Sequence, residues 1–249
     1  RCSYRTGPAR VRGSATSRYR ATRTYSDPVQ TSFVVGFDLD MTLVDSTDGI
    51  TATLAAAVAA SPGGEGVLID RERVWPYVGL PLDVTVAGLA PRTDPERVIR
   101  EYRARYAQIG VPLTRLLPGA VEALAAVREA GGRVLVVSAK AEVGVREVLT
   151  EVGLDHPDVR PDLVVGGLFG AAKGERLIVE AADVYVGDHS GDVQAARVAG
   201  ALSVVVCTGP EAAATLAAAG ADIVLDDLLG FPKWLSTFLS GFRRSRARH

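Results

Sequence analysis

Two carboxylates and a hydroxyl, spaced two residues apart, follow a short apolar stretch near the start of the chain. Residues 33–37 are apolar apart from one glycine and include aromatic and β-branched types, which is typical of a strand buried on both faces. Asp38, Asp40 and Thr42 come next. Because alternate residues of an extended chain point the same way, we expect these side chains to converge beyond the strand, at the edge where open α/β sheets bind ligands.

Further polar residues come at the ends of later predicted strands. Ser138 and Lys140 follow one strand, Asp188 and Asp192 follow another, and Lys173 opens the helix that leads into the latter. A carboxylate can attack phosphorus, but two anions repel by roughly 4 kcal/mol at 4 Å and an effective dielectric constant near 20. A lysine and a Mg²⁺ ion held by carboxylates offset that repulsion. The residue types therefore favour phosphoryl transfer with Mg²⁺ as the cofactor.

Apolar segments and helical patterns alternate through the second half of the chain. This alternation predicts βαβ units, and hence an α/β fold with a parallel sheet covered by helices on both faces. A final amphipathic helix is expected to run through Leu239. The helices between the strands span about 10–12 residues, and the predicted strands are 133–137, 163–165, 184–186, 202–206 and 223–225.

The segment 47–115 lacks a strong strand signal and predicts a helical insertion after the first strand. Apolar residues recur at helical spacing over 50–58. A second helix start is predicted with Thr93 as its cap, Pro95 in the first turn and Glu96 three residues after the cap. The insertion therefore divides the core into two sequence segments.

Composition limits the class of protein. The 249 residues, 47% of them hydrophobic, suffice for one large α/β domain or for one domain with an insertion. No stretch approaches 18 consecutive apolar residues, so we expect no membrane span. Cys2 and Cys207 are the only cysteines, which excludes a disulfide framework or a cysteine-based zinc site and fits a cytoplasmic location.

Charge is distributed unevenly along the chain. Residues 1–27 hold seven arginines and one acid, and residues 243–249 hold four arginines and no acid, which leaves 17 basic and 28 acidic residues elsewhere. An acidic body argues against nucleic acid as a partner. We expect residues 1–30 to be a disordered basic extension, with an organelle-targeting segment as the alternative. Residues 243–249 are expected to be a solvated basic tail.

The polar motifs resemble those of a known family. Asp38-Leu39-Asp40-Met41-Thr42 resembles the first motif, Asp-x-Asp-x-Thr, of the haloacid dehalogenase superfamily, and in particular of its phosphatases similar to phosphoglycolate phosphatase. Ser138 resembles the second motif, Lys173 the third, and Gly187-Asp188-x-x-x-Asp192 the fourth. Two departures are visible, because Met41 stands where glycine is usual and Gly174-Glu175 replaces a common proline-containing sequence.

The resemblance extends over about 33–229 and implies a domain arrangement. It implies a Rossmann-like three-layer core formed by 31–46 and 116–242 and a small helical cap formed by 47–115. Cap residues set specificity in this family, and the expected contacts are 78–81 with Arg100 or Arg103.

The resemblance also implies a role for each motif residue. Asp38 would be the nucleophile and a Mg²⁺ ligand. Asp40 would be the general acid and then the base, and its backbone carbonyl would contact the metal. Thr42 would order the loop between them. Members that cleave carbon–halogen bonds lack the second aspartate, so Asp40 argues for phosphate chemistry.

The later motifs complete the implied site. Ser138 would donate a hydrogen bond to a phosphoryl oxygen, and Lys173 would neutralise charge. Asp188 would bind Mg²⁺, and Asp192 would support the metal directly or through water. His189 lies between the two aspartates, and its place there predicts that it flanks the site rather than reacts.

Several functions remain open from the sequence. The leading hypothesis is a Mg²⁺-dependent phosphatase that acts on a small phosphorylated metabolite, phosphoglycolate or something like it, through an aspartyl-phosphate. A phosphomutase, or a phosphatase of sugar or nucleoside phosphates, would use the same residues. A non-catalytic phosphate-binding module would be expected to lack a nucleophile, acid or lysine, and none is lacking here. Dinucleotide binding is disfavoured because Gly166–Gly170 does not match Gly-x-Gly-x-x-Gly.

Overall fold

The computed structural model describes residues 33–246, with side chains to residue 240. The predicted basic extension 1–30 and the last residues of the predicted basic tail lie outside this part of the chain. One short β-strand directly precedes the helical insertion and another directly follows it, and the other six strands form the core sheet. The strands are β1 (Val34–Phe37), β2 (Val44–Asp45), β3 (Arg115–Leu116), β4 (Arg133–Val137), β5 (Leu163–Val165), β6 (Val184–Gly187), β7 (Leu202–Val206) and β8 (Ile223–Leu225).

The core is a parallel six-stranded sheet in the order β5-β4-β1-β6-β7-β8. Its central strand, β1, pairs Phe37 with Val136 of β4 and with Val186 of β6. Side chains of β1 alternate between two apolar clusters, with Val35 and Phe37 on one face and Val34 on the other. The predicted α/β fold with a parallel sheet is confirmed, and the predicted strand bounds agree with the structure to within one residue.

Ten α-helices are described, of which four belong to the insertion between β2 and β3. β2 and β3 pair antiparallel, Val44 with Leu116, so the insertion leaves and re-enters the core through a two-stranded ribbon. The division into a core and a cap domain remains a prediction. The helices are α1 (Thr47–Ala59), α2 (Arg71–Val74), α3 (Leu82–Leu89), α4 (Pro95–Ile109), α5 (Ala120–Glu129), α6 (Glu142–Glu151), α7 (Ala171–Val179), α8 (Ser190–Ala199), α9 (Ala213–Ala218) and α10 (Phe231–Arg246).

Two helix ends differ from the sequence-based expectation. The cap of α4 is Asp94, whose carboxylate accepts the Glu96 amide at 3.1 Å, whereas the Thr93 hydroxyl donates to the Ala90 carbonyl. The prediction of Thr93 as the cap was therefore wrong by one residue. Helix α10 continues past Leu239 to Arg246, so the start of the predicted basic tail is helical. None of the described helices is both long and apolar enough to serve as a membrane span.

Candidate active site

The loop after β1 is a tight turn rather than an extended strand. The Leu43 amide donates to the Leu39 carbonyl at 2.9 Å, and the Met41 amide donates to the Val44 carbonyl at 2.7 Å. The expectation that Asp38, Asp40 and Thr42 share one face of an extended chain was therefore wrong in its geometry. The turn nevertheless brings Thr42 to the site, where its hydroxyl donates to Asp188 Oδ1 at 3.2 Å.

The backbone conformation of Met41 explains why glycine is usual at this position. Its φ of 58° lies in the left-handed region, which costs a residue with a Cβ about 1–2 kcal/mol. The side chain is buried at 3% exposure, and the loop after β7 holds the backbone because the Thr208 hydroxyl donates to the Met41 carbonyl. Packing of the Met41 side chain thus offsets an unfavourable backbone conformation.

We expect Met41→Gly to lower the free energy of unfolding by about 1–3 kcal/mol. Glycine removes the left-handed cost but also removes a buried side chain, and the loss of a methionine from a core exceeds that cost. Ala181→Gly is the matched control, because Ala181 has a φ of 53° and an exposed side chain. The control should be neutral or slightly stabilising in urea denaturation. Equal effects of the two substitutions would contradict this balance.

Three buried carboxylates form the centre of the site. Asp38 follows β1, Asp188 follows β6, and Asp192 lies in the first turn of α8. One carboxylate oxygen from each lies within 4.8 Å of the others, and each residue is at most 2% exposed. A Cβ on Gly209 would lie 1.8 Å from Asp188 Oδ2, so this position requires glycine for the carboxylate to fit.

Lys173 supplies the positive charge of the cluster. Its ammonium lies 3.0 Å from Asp38 Oδ1 and 2.7 Å from Asp192 Oδ1, and the residue is only 1% exposed. It reaches the cluster from the first turn of α7, which packs closely on α8. A Cβ on Gly174 would lie 2.6 Å from Val198 Cβ, so the departure Gly174 permits the close approach of these two helices.

Burial shifts the pKa values of the cluster. Burial raises the pKa of Asp38 from 3.8 to about 6, although the Lys173 ammonium opposes that shift. Burial, reinforced by Asp192, raises the pKa of Asp188 well above its usual value. Burial lowers the pKa of Lys173, but the Asp192 and Asp38 carboxylates outweigh it and hold that pKa well above the ordinary value. The site is therefore short of positive charge.

The three carboxylates fit a hard divalent cation. Mg²⁺ prefers carboxylate and carbonyl oxygens as ligands, and the cluster offers only oxygens beside Lys173. Among the described residues, no donor hydrogen-bonds the buried Oδ2 of Asp188. An unsatisfied buried carboxylate oxygen is costly without a counter-charge, so a bound cation would lower the free energy of this arrangement.

Asp40 lies at the border between the core and the insertion. Its carboxylate accepts the Ser46 hydroxyl at 2.5 Å and lies 3.2 Å from the Lys140 ammonium. The Lys140 ammonium also lies 4.3 Å from the ring centroid of Tyr106, which belongs to α4. The sequence-based interpretation gave Lys140 no role in the site. Its position two residues after Ser138, at the end of a strand, was the signal that could have indicated one.

Ser138 and His189 occupy the ends of two strands that flank β1. Ser138 follows β4, is 1% exposed, and accepts the Lys140 amide on its hydroxyl at 3.3 Å. His189 caps α8, because its Nδ1 accepts the Gly191 amide at 2.9 Å while Nε2 lies 3.2 Å from Glu211 Oε1. The expectation that His189 flanks the site agrees with this position.

Glu211 was missed by the sequence reasoning. Its carboxylate accepts the amide and hydroxyl of Ser190 at 2.7 and 2.8 Å and thereby ties the loop after β7 to the start of α8. No local pattern marks this residue, because its partners lie some twenty positions earlier in the chain. It holds the segment that carries Asp188 and Asp192.

A cavity of about 700 Å³, here called the cap cavity, lies between the insertion and the sheet edge. Of the predicted cap contacts, Arg103 and residues 79–81 line it, whereas Val78 is buried elsewhere and Arg100 lies 3.8 Å from Glu96. Its lining residues are Asp40, Ile50, Tyr77, Gly79, Leu80, Pro81, Leu82, Asp83, Thr85, Ile99, Tyr102, Arg103, Tyr106, Ala139, Lys140, Ala141, Val143, Gly144, Glu147 and Gly167.

A family model for haloacid dehalogenase-like hydrolases matches residues 35–197. The chain belongs to this family. The matched range begins in β1 and ends in α8, so it contains all of the candidate catalytic residues. The family expected from the motifs is therefore confirmed.

Curated relatives fall into two groups by name. The chain is 31% identical over 213 residues to a plasmid-encoded phosphoglycolate phosphatase of Cupriavidus necator, covering 80% of this chain and 91% of that protein. It is also 31% identical over 200 residues to the tyrosine-protein kinase PtkA of Mycobacterium tuberculosis, covering 75% of this chain and 66% of the kinase. The match thus leaves about a third of the kinase's length uncovered.

Solved structures agree with the fold. A predicted phosphatase from Clostridium acetobutylicum superposes with a TM-score of 0.71 at 21% identity, covering 83% of this chain and 99% of that one. A hydrolase from Pseudomonas syringae gives 0.64 at 23% identity, covering 83% and 99%. At these identities the likeness shows that the family fold is shared.

Proposed function

We propose that this protein is a Mg²⁺-dependent phosphatase that hydrolyses phosphate monoesters of small metabolites through a phosphorylated Asp38. The observation that carries the proposal is the buried ammonium of Lys173 between Asp38 and Asp192. Attack of a carboxylate on a phosphate monoester brings two anions together, and a preorganised cation at that place lowers the barrier. The 31% identical phosphoglycolate phosphatase supports this function and makes phosphoglycolate the first substrate to test.

In the first half-reaction a carboxylate oxygen of Asp38 attacks phosphorus. The bond from phosphorus to the alcohol oxygen breaks, its electron pair goes to that oxygen, and Asp40 gives the oxygen a proton. Lys173 holds Asp38 in place and balances charge on the phosphoryl oxygens. Ser138, at the end of the neighbouring strand, would donate its hydroxyl hydrogen to one of them.

In the second half-reaction a water molecule attacks the phosphorus of phosphorylated Asp38. Asp40, now a carboxylate, takes a proton from that water, and the bond from phosphorus to Asp38 breaks to release phosphate. The contacts to Ser46 and Lys140 keep the Asp40 carboxylate at one place between the two steps. One residue therefore acts first as the acid and then as the base.

The metal would be held by Asp38, the Asp40 carbonyl, Asp188 and Asp192. When bound, Mg²⁺ supplies positive charge at the transferring phosphoryl group. Thr42 positions Asp188 by donating to its Oδ1, which leaves Oδ2 for the cation.

The test is phosphate release from a panel of monoesters with Mg²⁺ or with EDTA. The panel contains phosphoglycolate, sugar phosphates and nucleoside monophosphates. Metal-dependent release supports the proposal. No release from any ester by the folded protein contradicts it, and conversion of a sugar phosphate into its isomer without net release would identify a phosphomutase.

Transfer to a hydroxyl other than water is the second candidate function. It is favoured by one observation, the 31% identity to a protein named as a tyrosine kinase. A labelled nucleoside triphosphate would then label tyrosine in the protein or in an added peptide. Absence of label together with phosphate release from monoesters would reject this candidate.

We expect Mg²⁺ binding to weaken as the pH falls through about 6. A carboxylate must lose its proton to bind the metal, and burial places the pKa of Asp38 at about 6 while it raises that of Asp188. Protons therefore compete with Mg²⁺ in this range, and Kd should rise about tenfold or more between pH 7 and pH 5. Calorimetric titration of EDTA-treated protein measures this change, and an affinity independent of pH would contradict it.

A further inference from the structure

The cap cavity lies on the side of the site where the alcohol part of a substrate must sit. Its lining includes Asp40, the proposed proton donor to the alcohol oxygen, but neither Asp38 nor Lys173, which would contact the phosphoryl group. A phosphoryl group would occupy only a small part of a cavity of about 700 Å³, so most of this volume is open to the alcohol part.

This volume is much larger than phosphoglycolate requires. The whole of that ester occupies about 150 Å³, or roughly five times the liquid volume of one water molecule. The cavity lies instead within the range of roughly 300–1,000 Å³ that is typical of sites for ligands with one or two rings. Its size therefore favours an alcohol with a substantial carbon skeleton.

Much of the lining of the cap cavity is aromatic or aliphatic. Tyr102 and Tyr106 stack with ring centroids 5.3 Å apart, and Tyr77, from an earlier stretch of the insertion, also lines the cavity. Leu80 and Ile99 add aliphatic surface. Aromatic rings of this kind contact apolar and aromatic groups with little loss of side-chain entropy, because their own positions are already fixed by packing.

The charges on the lining disfavour a second anionic group on the substrate. Lys140 is held at 3.2 Å by Asp40, and Arg103 is exposed to solvent. Asp83 and Glu147 also line the cavity and would repel a carboxylate. The one buried cation of this lining, Lys140, is already paired with Asp40, so the lining offers no unpaired buried cation to the carboxylate of a substrate such as phosphoglycolate.

We propose that the site selects phosphate monoesters whose alcohol part is aromatic or otherwise apolar, with the ring held among the tyrosines of the cap cavity. The proposal rests on the phosphatase function proposed above. The reaction is unchanged, since the P–O bond breaks, the alcohol leaves with a proton from Asp40, and phosphate is later released to water. What is added is the chemical class of the alcohol.

The first experiment compares esters whose alcohols have similar acidity. Ethyl, 2-phenylethyl and 3-phenylpropyl phosphates differ in apolar surface but not in the intrinsic ease with which the alkoxide leaves. Each buried methylene contributes about a fourfold gain in binding, so kcat/KM should rise roughly 30-fold or more from ethyl to 2-phenylethyl phosphate. Phosphoglycolate should be a poorer substrate than 2-phenylethyl phosphate. Equal or reversed values would overturn the proposal.

A charge placed in the lining provides the second experiment. Leu80→Glu puts a carboxylate on the cavity wall, and Leu68→Glu is the matched control because Leu68 lies on the same insertion, is 61% exposed and does not line the cavity. Leu80→Glu should lower kcat/KM for 2-phenylethyl phosphate about tenfold or more and that for ethyl phosphate by much less. A uniform loss for both esters, or the same loss in the control, would count against the proposal.

Binding separates this proposal from the proposed reaction. Phenylalkyl and methyl phosphonates cannot be hydrolysed, and their affinities are measured by calorimetry in the presence of Mg²⁺. Tighter binding of the phenylalkyl phosphonate, if Leu80→Glu weakens it, supports the cavity assignment. This holds even if no ester is hydrolysed, a result that would reject only the phosphatase function. Equal affinities, or hydrolysis that favours phosphoglycolate, would reject the cavity assignment and leave the phosphatase intact.

Discussion

Asp38→Asn is expected to abolish phosphate release, with a loss of about 10⁴-fold or more, while it stabilises the metal-free protein. Asparagine cannot form the phosphorylated intermediate, so only the residual effect of the surrounding site remains. The stability gain follows from the pKa of Asp38, which burial raises from 3.8 to about 6. Activity and stability should therefore change in opposite directions, which loss of folding cannot mimic.

The sign of the pH effect is fixed by the same pKa. Below pH 3.8 the Asp38 carboxyl is protonated in both folded and unfolded states and contributes nothing. Between 3.8 and about 6 the unfolded state loses its proton first, so the wild-type protein loses up to about 3 kcal/mol of stability and keeps that deficit at higher pH. The advantage of Asp38→Asn should therefore grow over this interval and stay constant above it.

Urea denaturation in EDTA at several pH values measures this difference. Asp158→Asn is the matched control, since the side chain of Asp158 is 84% exposed and forms its one ion pair in the described part of the chain with His156. The control should retain activity and change stability by less than about 0.5 kcal/mol. Turnover that survives in Asp38→Asn would reject Asp38 as the nucleophile.

The sheet was predictable from the sequence because its inner strands are buried on both faces. Short, mostly apolar runs such as 133–137 and 202–206 sit between glycines or turns, and their length and β-branched residues favour strands over buried helices. The carboxyl ends of parallel strands share one edge of the sheet, so the sequence alone groups Asp38, Ser138 and Asp188.

The turn after β1 was less predictable because long-range contacts decide it. The alternation of Asp38, Asp40 and Thr42 also fits a strand, and it does not reveal the contacts that favour the turn, such as the bond from Thr208 to the Met41 carbonyl. Residues that act across long sequence separations were missed for the same reason. Glu211 is one example, since its bonds to Ser190 form only when two loops meet at the sheet edge.

The cap cavity was beyond the sequence reasoning in a different way. Tyr102 and Tyr106 lie four residues apart in α4, a spacing that places both on one face of the helix, and the structure buries both residues. Periodicity cannot show that part of this face is left open beside Asp40, because that depends on how the insertion meets the sheet edge. The proposed substrate class therefore rests on the shape of the fold rather than on any motif.

Lys173→Met is expected to reduce activity about 10³-fold and to destabilise the metal-free protein by about 3–5 kcal/mol. The substitution keeps the length and apolar stem of the side chain but removes the ammonium, which leaves Asp38 and Asp192 buried without their cation. Lys233→Met is the matched control, because Lys233 lies on the exposed side of α10 and should change stability by less than about 0.5 kcal/mol.

Mg²⁺ should restore more stability to Lys173→Met than to the wild-type protein. In the wild-type protein Lys173 already neutralises part of the acidic cluster, so bound Mg²⁺ adds less stability. In the variant, no described residue of that cluster carries a positive charge, so bound Mg²⁺ adds more. Thermal unfolding across a Mg²⁺ titration measures both gains. A variant that unfolds like the wild-type protein in EDTA, or that gains nothing from Mg²⁺, would contradict the charge balance on which the proposed reaction depends.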